Sequence, residues 1–288
     1  MVNYQERRKR FRAILTGARC LFPASVYDAL SARIAESVGY ELGILAGSVS
    51  ACTTLAAPDL ALQTLTEFAN QARRIVRATK LSLMVDADHG YGNALNVIRT
   101  VQELEHAGVA AITIEDTALP ARFGGPENVE LVSIDEMSAK CRAALSARQD
   151  DSLVIAARTA ALIGEDSERA VIRAKAYVST GVDAIFITGL QKLGDFDAIR
   201  RVVKLPIIMG RASAVTNEDL AARGVRIVVQ GHQSLAVVVK SLREVYGHLY
   251  AGGAPADLAS KAASAQEMDQ LMNGEHYRDL LQNYLRSH

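Results

Sequence analysis

The chain has 288 residues, 49% of them hydrophobic and none of them tryptophan, enough for one large core. Thirty-two basic residues balance thirty-two acidic ones, so no bulk field favours nucleic acid or an anionic membrane. No apolar run approaches the roughly twenty residues of a membrane span, and no signal-peptide core follows the N-terminal charges.

The chain opens with a predicted amphipathic helix whose apolar face is Tyr4, Phe11, Ile14 and Leu15. Its basic cluster, Arg7-Arg8-Lys9-Arg10 with Arg12, reads as a solvated or interfacial face. Short apolar runs then alternate with segments of helical period. Strands are expected near 19–23, 42–46, 82–86, 110–115, 153–158, 183–188, 205–209 and 226–230. Helical patterns between them include Asp28–Val38, Leu65–Ala78, Asn93–Ala107, Ile134–Arg148, Asp166–Thr180, Asp195–Val203 and Asn217–Arg223. Gly108, Gly181 and Gly224 each precede a strand, where a residue just past a helix C-terminus belongs. Cys20, Cys52 and Cys141 lack paired or metal-type spacing, as expected of unpaired thiols in a reducing, cytoplasmic compartment; Cys52 and Cys141 are expected to be buried and inert. After Tyr250 come Gly252, Gly253 and Pro255, then a polar helical stretch from about Ala256. That extension has two candidate places, the bottom of the fold or a neighbouring subunit.

The strand runs are mostly unalternating, so both faces of a parallel sheet are covered. Length and count predict a (β/α)₈ TIM barrel, one domain spanning 1–288, with the barrel at about 18–250 and a C-terminal helical extension at about 255–288. An open doubly wound sheet is the alternative, but no Gly-x-Gly-x-x-Gly turn follows the first strand.

Four of the runs deliver charged or titratable residues at their C-terminal ends. Leu83–Val85 leads into Asp86, Asp88 and the turn His89-Gly-Tyr-Gly92; 110–114 leads into Glu115-Asp116; 153–157 into Arg158; and 226–230 into Gly231-His232. Carboxylates leaving water at a buried strand end need a partner or a metal, and a hard cation such as Mg²⁺ uses one or two carboxylates plus waters. The competing account is a loop whose aspartates cap the next helix. In a barrel, Asp86, Glu115, Arg158 and His232 share one mouth.

Taken together, Ser25-Val-Tyr-Asp-Ala-Leu-Ser-Ala-Arg33, Gly43-Ile-Leu-Ala-Gly-Ser48, Pro58-Asp59, Asp86-Ala-Asp-His-Gly-Tyr-Gly92, Ile114-Glu-Asp116 and Ala157-Arg-Thr159 resemble the isocitrate lyase / phosphoenolpyruvate mutase superfamily over roughly residues 18–245. The resemblance implies a barrel, often a homotetramer exchanging its last helix, that binds Mg²⁺ and works on bonds beside a 2-oxo-acid. It implies Asp86 as direct metal ligand and Asp88, Glu115 and Asp59 as holders of metal-bound waters. Gly47 and Ser48 match the loop that receives substrate oxygens, and Arg158 matches the arginine that grips a substrate carboxylate. His89 occupies a turn position where the family varies and is read as structural.

The lyases of that family carry a Lys-Lys-Cys-Gly-His-type loop after the fourth strand, whose cysteine is an acid/base; here the loop reads Ala121-Arg-Phe-Gly-Gly125. A bare loop followed later by a Gly-His pair is similar to the oxaloacetate decarboxylase branch, with His232 as a substrate ligand. The tyrosine which that branch carries near strand seven is missing between Lys204 and Asp219. The resemblance implies Mg²⁺-dependent decarboxylation of oxaloacetate, with Mn²⁺ as a possible substitute metal, and no nucleic-acid or membrane partner. The alternatives are a lyase or hydrolase of another 2-oxo or 2-hydroxy diacid (methylisocitrate or dimethylmalate type) and a catalytically silent dicarboxylate-binding barrel.

Overall fold

The computed structural model describes residues 3–126, 128–210 and 216–286, and the chain divides into two compact units, Met1–Gly231 and His232–His288. In the first, eight parallel strands pair in chain order: β1 (Ala24–Ser25), β2 (Leu42–Leu45), β3 (Ser82–Asp86), β4 (Ala111–Glu115), β5 (Val154–Thr159), β6 (Ala184–Ile187), β7 (Ile207–Gly210) and β8 (Val225–Val229). Leu21 closes the ring. Its N–H donates to the Arg226 carbonyl and its own carbonyl accepts from Val228 N–H, both at 2.9 Å. The sheet is therefore the expected barrel and not an open sheet.

The first strand is displaced from its expected place at 19–23. Pro23 has no N–H to give a ladder, so β1 starts after it, and Leu21 is the residue of that run that bridges to β8. The other strands and the helices between them fall within a few residues of the sequence periodicity. Their starts are chemically marked: the side chains of Asp28, Thr64, Asn93, Ser133, Asp166 and Thr216 each accept a hydrogen bond from a first-turn N–H, satisfying donors that the helix itself leaves open.

Strand side chains alternate between two cores. Leu42, Ile44, Met84, Ala111, Val154, Ala156, Ala184, Phe186, Ile208 and Ile227 fill the barrel interior. Their neighbours Leu45, Leu83, Val85, Ile112, Ile155 and Ile185 pack outward under the helices. Helix Tyr4–Thr16 is part of the interior core: Phe11, Ile14 and Leu15 join it. Arg7, Arg8 and Arg12 are accordingly turned to the protein and not a solvated or interfacial face. Arg8 donates to the carbonyls of Glu105 (2.6 Å) and Val109 (3.0 Å) and to Asp150 (2.8 Å). Arg12 reaches the carbonyls of Ser152 and Leu153 and Asp183, and Arg7 reaches Val76 O. Long aliphatic stems cross the core edge while the guanidiniums satisfy main-chain ends. Gly108 follows this logic too: its φ is +89°, and a Cβ there would meet the Tyr4 ring at 2.7 Å.

Phe11 is fully buried, so Phe11→Ala is expected to cost about 3–5 kcal/mol of stability. Chemical denaturation measures it, and a loss below about 1 kcal/mol would mean that the helix is not part of the core.

The second unit contains helix Gln233–Tyr250, a 3₁₀ segment Pro255–Lys261 and helices Ala265–Leu271 and Gly274–Leu285, the expected C-terminal helical extension in three pieces. Gln233–Tyr250 has no buried residue and exposes Val237, Val239, Leu242 and Tyr246. Among the described residues, no helix is long and apolar enough to cross a membrane.

Candidate functional site

The C-terminal ends of β3, β4 and β5 bring the charged residues together by register. Asp86 pairs with Thr113, Glu115 with Arg158, and Arg158 with Phe186. Because strand side chains repeat every second residue, Thr113 and Glu115 share a face with the neighbours those pairings supply. Thr113 Oγ1 donates to Asp86 Oδ1 at 2.8 Å. Arg158 Nη1 donates to Asp86 Oδ2. Arg158 Nε lies 3.1 Å from Glu115 Oε2 as an ion pair, without the alignment of a hydrogen bond. The guanidinium also sits over the Phe186 ring, 5.3 Å from its centroid, which favours a cation there.

Beyond Asp86 the chain turns sharply. Asp88 has a φ of +46° and Tyr91 one of +61°, and the Asp88 carbonyl accepts from Glu115 N–H at 2.8 Å. A left-handed aspartate is tolerated better than most residues, and here it brings a second carboxylate into the same mouth. Burial first, then Asp86, Glu115 and Asp59, push the Asp88 carboxyl up to about 8, against the pull of Arg158. Burial likewise pushes Glu115 up to about 7, with Arg158 opposing and Asp86 and Asp116 adding to it. For Arg158, burial favours the neutral form, but Asp86, Glu115, Asp88 and Asp59 outweigh it and hold the guanidinium above its ordinary pKa. Asp86 and Glu115 thus pair with one cation, whose charged form Asp88 and Asp59 also favour. Asp59 lies in an exposed stretch before helix Leu65–Ala78, yet its charge is felt at Asp88 and Arg158.

Gly47 and Ser48 belong to no loop. They open helix Gly47–Leu55, whose first-turn N–H groups have no partner within the helix. Gly47 is held to glycine by its neighbour: a Cβ would lie 2.4 Å from Asp88 Oδ1. The helix is short and lacks a clear apolar period, so the sequence does not announce it. It also places Cys52 on its outer face, exposed and not buried as expected; Cys141 is buried, which pushes its thiol up to about 12.

His89 is buried, and its carbonyl accepts from the buried Lys140 Nζ at 3.1 Å. His232 opens the second unit, directly after Gly231 (φ +88°). It occupies the N-cap position of helix Gln233–Tyr250, but its side chain makes no cap hydrogen bond. The 121–125 loop presents an exposed Phe123 and an Arg122 paired with Glu130 at 2.7 Å, with no acid/base group. Of the strand-seven segment in question, Arg211, Ala212 and Ser213 lie outside the described residues.

Sequence reasoning missed Thr113, Phe186 and Tyr91. Thr113 carried a signal: a hydroxyl inside an apolar strand, two residues before Glu115. Phe186 carried none, because an aromatic in a barrel strand reads as core. Tyr91 is half-buried, its ring 6.2 Å from that of His89; burial, and then Asp88 and Asp86, raise its phenol pKa.

Among the described residues no three His, Cys, Asp or Glu side chains converge on one point as a metal cage. The donor set nonetheless fits a hard divalent cation. Its oxygens are all carboxylate, it carries negative charge beyond what Arg158 neutralises, and one direct carboxylate with water-mediated others needs no three-fold convergence.

A family model described as phosphoenolpyruvate phosphomutase matches residues 11–250. The chain is 49% identical over 274 residues to the oxaloacetate decarboxylase of Rhodopseudomonas palustris (strain BisA53), covering 94% of each chain. It is 46% identical to that of Bradyrhizobium sp. (strain BTAi1 / ATCC BAA-1182), covering 99% of each. Among solved structures, phosphonopyruvate hydrolase complexed with oxalate and Mg²⁺ superposes with a TM-score of 0.86 at 29% identity, covering 97% of this chain and 99% of the other. With its barrel, its strand-end carboxylates and these matches, the chain belongs to the phosphoenolpyruvate mutase / isocitrate lyase superfamily.

Proposed function

We propose that this protein decarboxylates oxaloacetate to pyruvate and CO₂ with the help of Mg²⁺, or of Mn²⁺ in its place. The observation that carries this reading is the pairing of a carboxylate cluster with a largely buried arginine in one mouth, beside a 121–125 loop that holds no proton-transfer group. Near-half identity to an oxaloacetate decarboxylase across 94% of the chain supports it.

Asp86 would hold the metal directly, and Asp88, Glu115 and Asp59 would hold its waters. When bound, the metal supplies a Lewis acid for charge developing on the 2-oxo oxygen. The bond between C3 and the 3-carboxylate breaks, CO₂ leaves, and the electron pair passes into a pyruvate enolate that is then protonated at C3. Arg158 grips a substrate carboxylate with two parallel bonds. The open N–H groups of Gly47 and Ser48, with the Ser48 hydroxyl, receive substrate oxygens at a helix N-terminus, where anions are favoured. No cysteine base is required, in keeping with the loop. We also propose a cytoplasmic homotetramer exchanging its last helix, Gly274–Leu285; the exposed apolar residues of that helix, Tyr277, Leu281, Tyr284 and Leu285, support that.

A product assay with Mg²⁺ and a panel of oxaloacetate, methylisocitrate, dimethylmalate and phosphonopyruvate tests the function. Pyruvate and CO₂ from oxaloacetate alone is the expected result; turnover of another member would move the protein to a different reaction, and binding without turnover would make it a silent barrel.

We assign His232, next in the chain after β8, a hydrogen bond to the substrate oxo or carboxylate oxygen. His232→Ala is expected to lower kcat/KM for oxaloacetate ten- to hundredfold, about 1–3 kcal/mol, with Mg²⁺ affinity unchanged. His232→Gln should recover part of the loss, since an amide donates a hydrogen bond but shuttles no proton. Steady-state kinetics of both variants decide between a bonding role, a proton-transfer role and none.

A further inference from the structure

Immediately behind the mouth lies a second charged cluster that the proposed chemistry does not use. Asp116, fully buried, follows Glu115 at the end of β4. Its main-chain N–H donates to the Arg158 carbonyl at 3.2 Å. Its carboxylate accepts from Thr159 Oγ1 at 2.7 Å and from Ala160 N–H at 3.0 Å. Three consecutive residues at the end of β5 are thus tied to one aspartate.

On its other side the same carboxylate accepts from the Tyr177 hydroxyl at 2.8 Å. Tyr177 accepts in turn from Arg173 Nη1 at 3.0 Å, and both residues lie on helix Ser167–Val178. Arg173 grips Glu165 with two bonds of 2.8 Å and donates to the Val132 carbonyl at 2.9 Å. Val132 N–H closes the circuit by donating to the Asp116 carbonyl at 2.9 Å. The cluster therefore pins four things to one another: the ends of β4 and β5, the helix after β5, and the arm that returns from the 121–125 loop.

Stability alone does not account for such a cluster, because well-packed apolar residues often replace a buried ion network at no loss. Fixed direction is what the network adds. Arg158 must project between Asp86 and Glu115, and the main chain that aims it is held at 158, 159 and 160 by Asp116. We propose that Asp116, held in place by Tyr177 and Arg173 and acting through Thr159 and the main chain at 158 and 160, is a positioning residue that sets the Arg158 guanidinium for the substrate carboxylate. This rests on the functional reading above and deepens it.

Asp116→Ala is a poor probe, since it leaves Arg173 buried beside an emptied site and threatens folding. Tyr177→Phe and Thr159→Val keep volume and remove hydroxyls bonded to Asp116; the two hydroxyls also accept from Arg173 Nη1 at 3.0 Å and from Ala161 N–H at 3.2 Å, respectively. Val182→Ala, in the same outer core as Tyr177 but with no polar group to give the network, serves as a control for lost stability. Two quantities are measured: KM and kcat for oxaloacetate, and the Kd of oxalate by calorimetry in the presence of Mg²⁺. Oxalate is a planar dianion that resembles the pyruvate enolate, and its binding needs no turnover. Tyr177→Phe and Thr159→Val are expected to raise KM and the oxalate Kd about tenfold with a smaller change in kcat. Val182→Ala should lower Tm while leaving KM and Kd within about twofold. If wild type binds oxalate and both hydroxyl variants bind it as tightly, the positioning role is wrong and the functional reading stands. If Val182→Ala weakens binding as much as they do, the effect is one of stability and the role is equally wrong. If wild type neither binds oxalate with Mg²⁺ nor turns over oxaloacetate, the functional reading falls and takes this inference with it.

Discussion

Replacing Asp86 with alanine is expected to abolish oxaloacetate decarboxylation, by roughly a thousandfold or more. Lewis-acid stabilisation of a developing enolate contributes several kcal/mol, and about 4 kcal/mol corresponds to a thousandfold in rate. Asp86 is the carboxylate placed to supply it. It lies buried at the end of β3, oriented by Thr113 Oγ1 on one oxygen and facing Arg158 with the other. Burial, and then the charge of Asp86, push the carboxyls of Asp88 and Glu115 up to about 8 and about 7 against the pull of Arg158, so neither replaces Asp86 as a direct ligand without working against that burial. Two measurements separate metal loss from a general defect. Wild type should gain thermal stability on adding Mg²⁺, as a ligand that binds only the folded state requires, and Asp86→Ala should show no such gain. Asp86→Asn keeps the shape and the bond from Thr113, and it too should fail to respond to metal. Full activity of chelator-treated wild type would sink the metal requirement altogether.

The barrel was legible because its strands are buried on both faces and its helices carry one apolar stripe, so two periods alternate along the chain. Leu42–Leu45, Ser82–Asp86 and Val225–Val229 lie within a residue of where runs of apolar residues put them. β1 was not legible: only a tertiary bridge from Leu21 reveals where the ring closes. The arginine cluster misled for a related reason, since its charge is plain in the sequence while the carbonyls it satisfies belong to residues about 70–140 positions away. At the site, residues standing at strand ends could be read directly, because any barrel gathers those positions at one mouth. Thr113 left only the mark of a hydroxyl inside an apolar strand, and the partners of Asp116 left none. A tyrosine and an arginine in a helix acquire a role only from what register and packing set beside them.

Arg158→Lys is the second large effect expected, and it tests geometry at constant charge. The guanidinium is engaged on several sides at once: Nη1 on Asp86, Nε beside Glu115, and its plane over Phe186. An ammonium is a compact point charge without a plane to stack or a fork to offer. It can still offset the carboxylates, so Mg²⁺ affinity and Tm should change little. What it cannot do is grip a substrate carboxylate through two parallel bonds. Losing one charge-assisted bond costs about 2–3 kcal/mol, a fall of roughly thirty- to two-hundredfold in kcat/KM for oxaloacetate. The way the loss divides says when Arg158 acts. A raised KM with kcat preserved would mean that it holds substrate and transition state alike. An equal fall in kcat and kcat/KM would mean that its grip matters only as the C–C bond breaks. Malonate or another dicarboxylate inhibitor should weaken in parallel with KM in the first case and remain unaffected in the second. An unchanged kcat/KM would leave Arg158 as the internal counter-charge of Asp86 and Glu115 and nothing more, and the substrate's carboxylate would have to be held elsewhere.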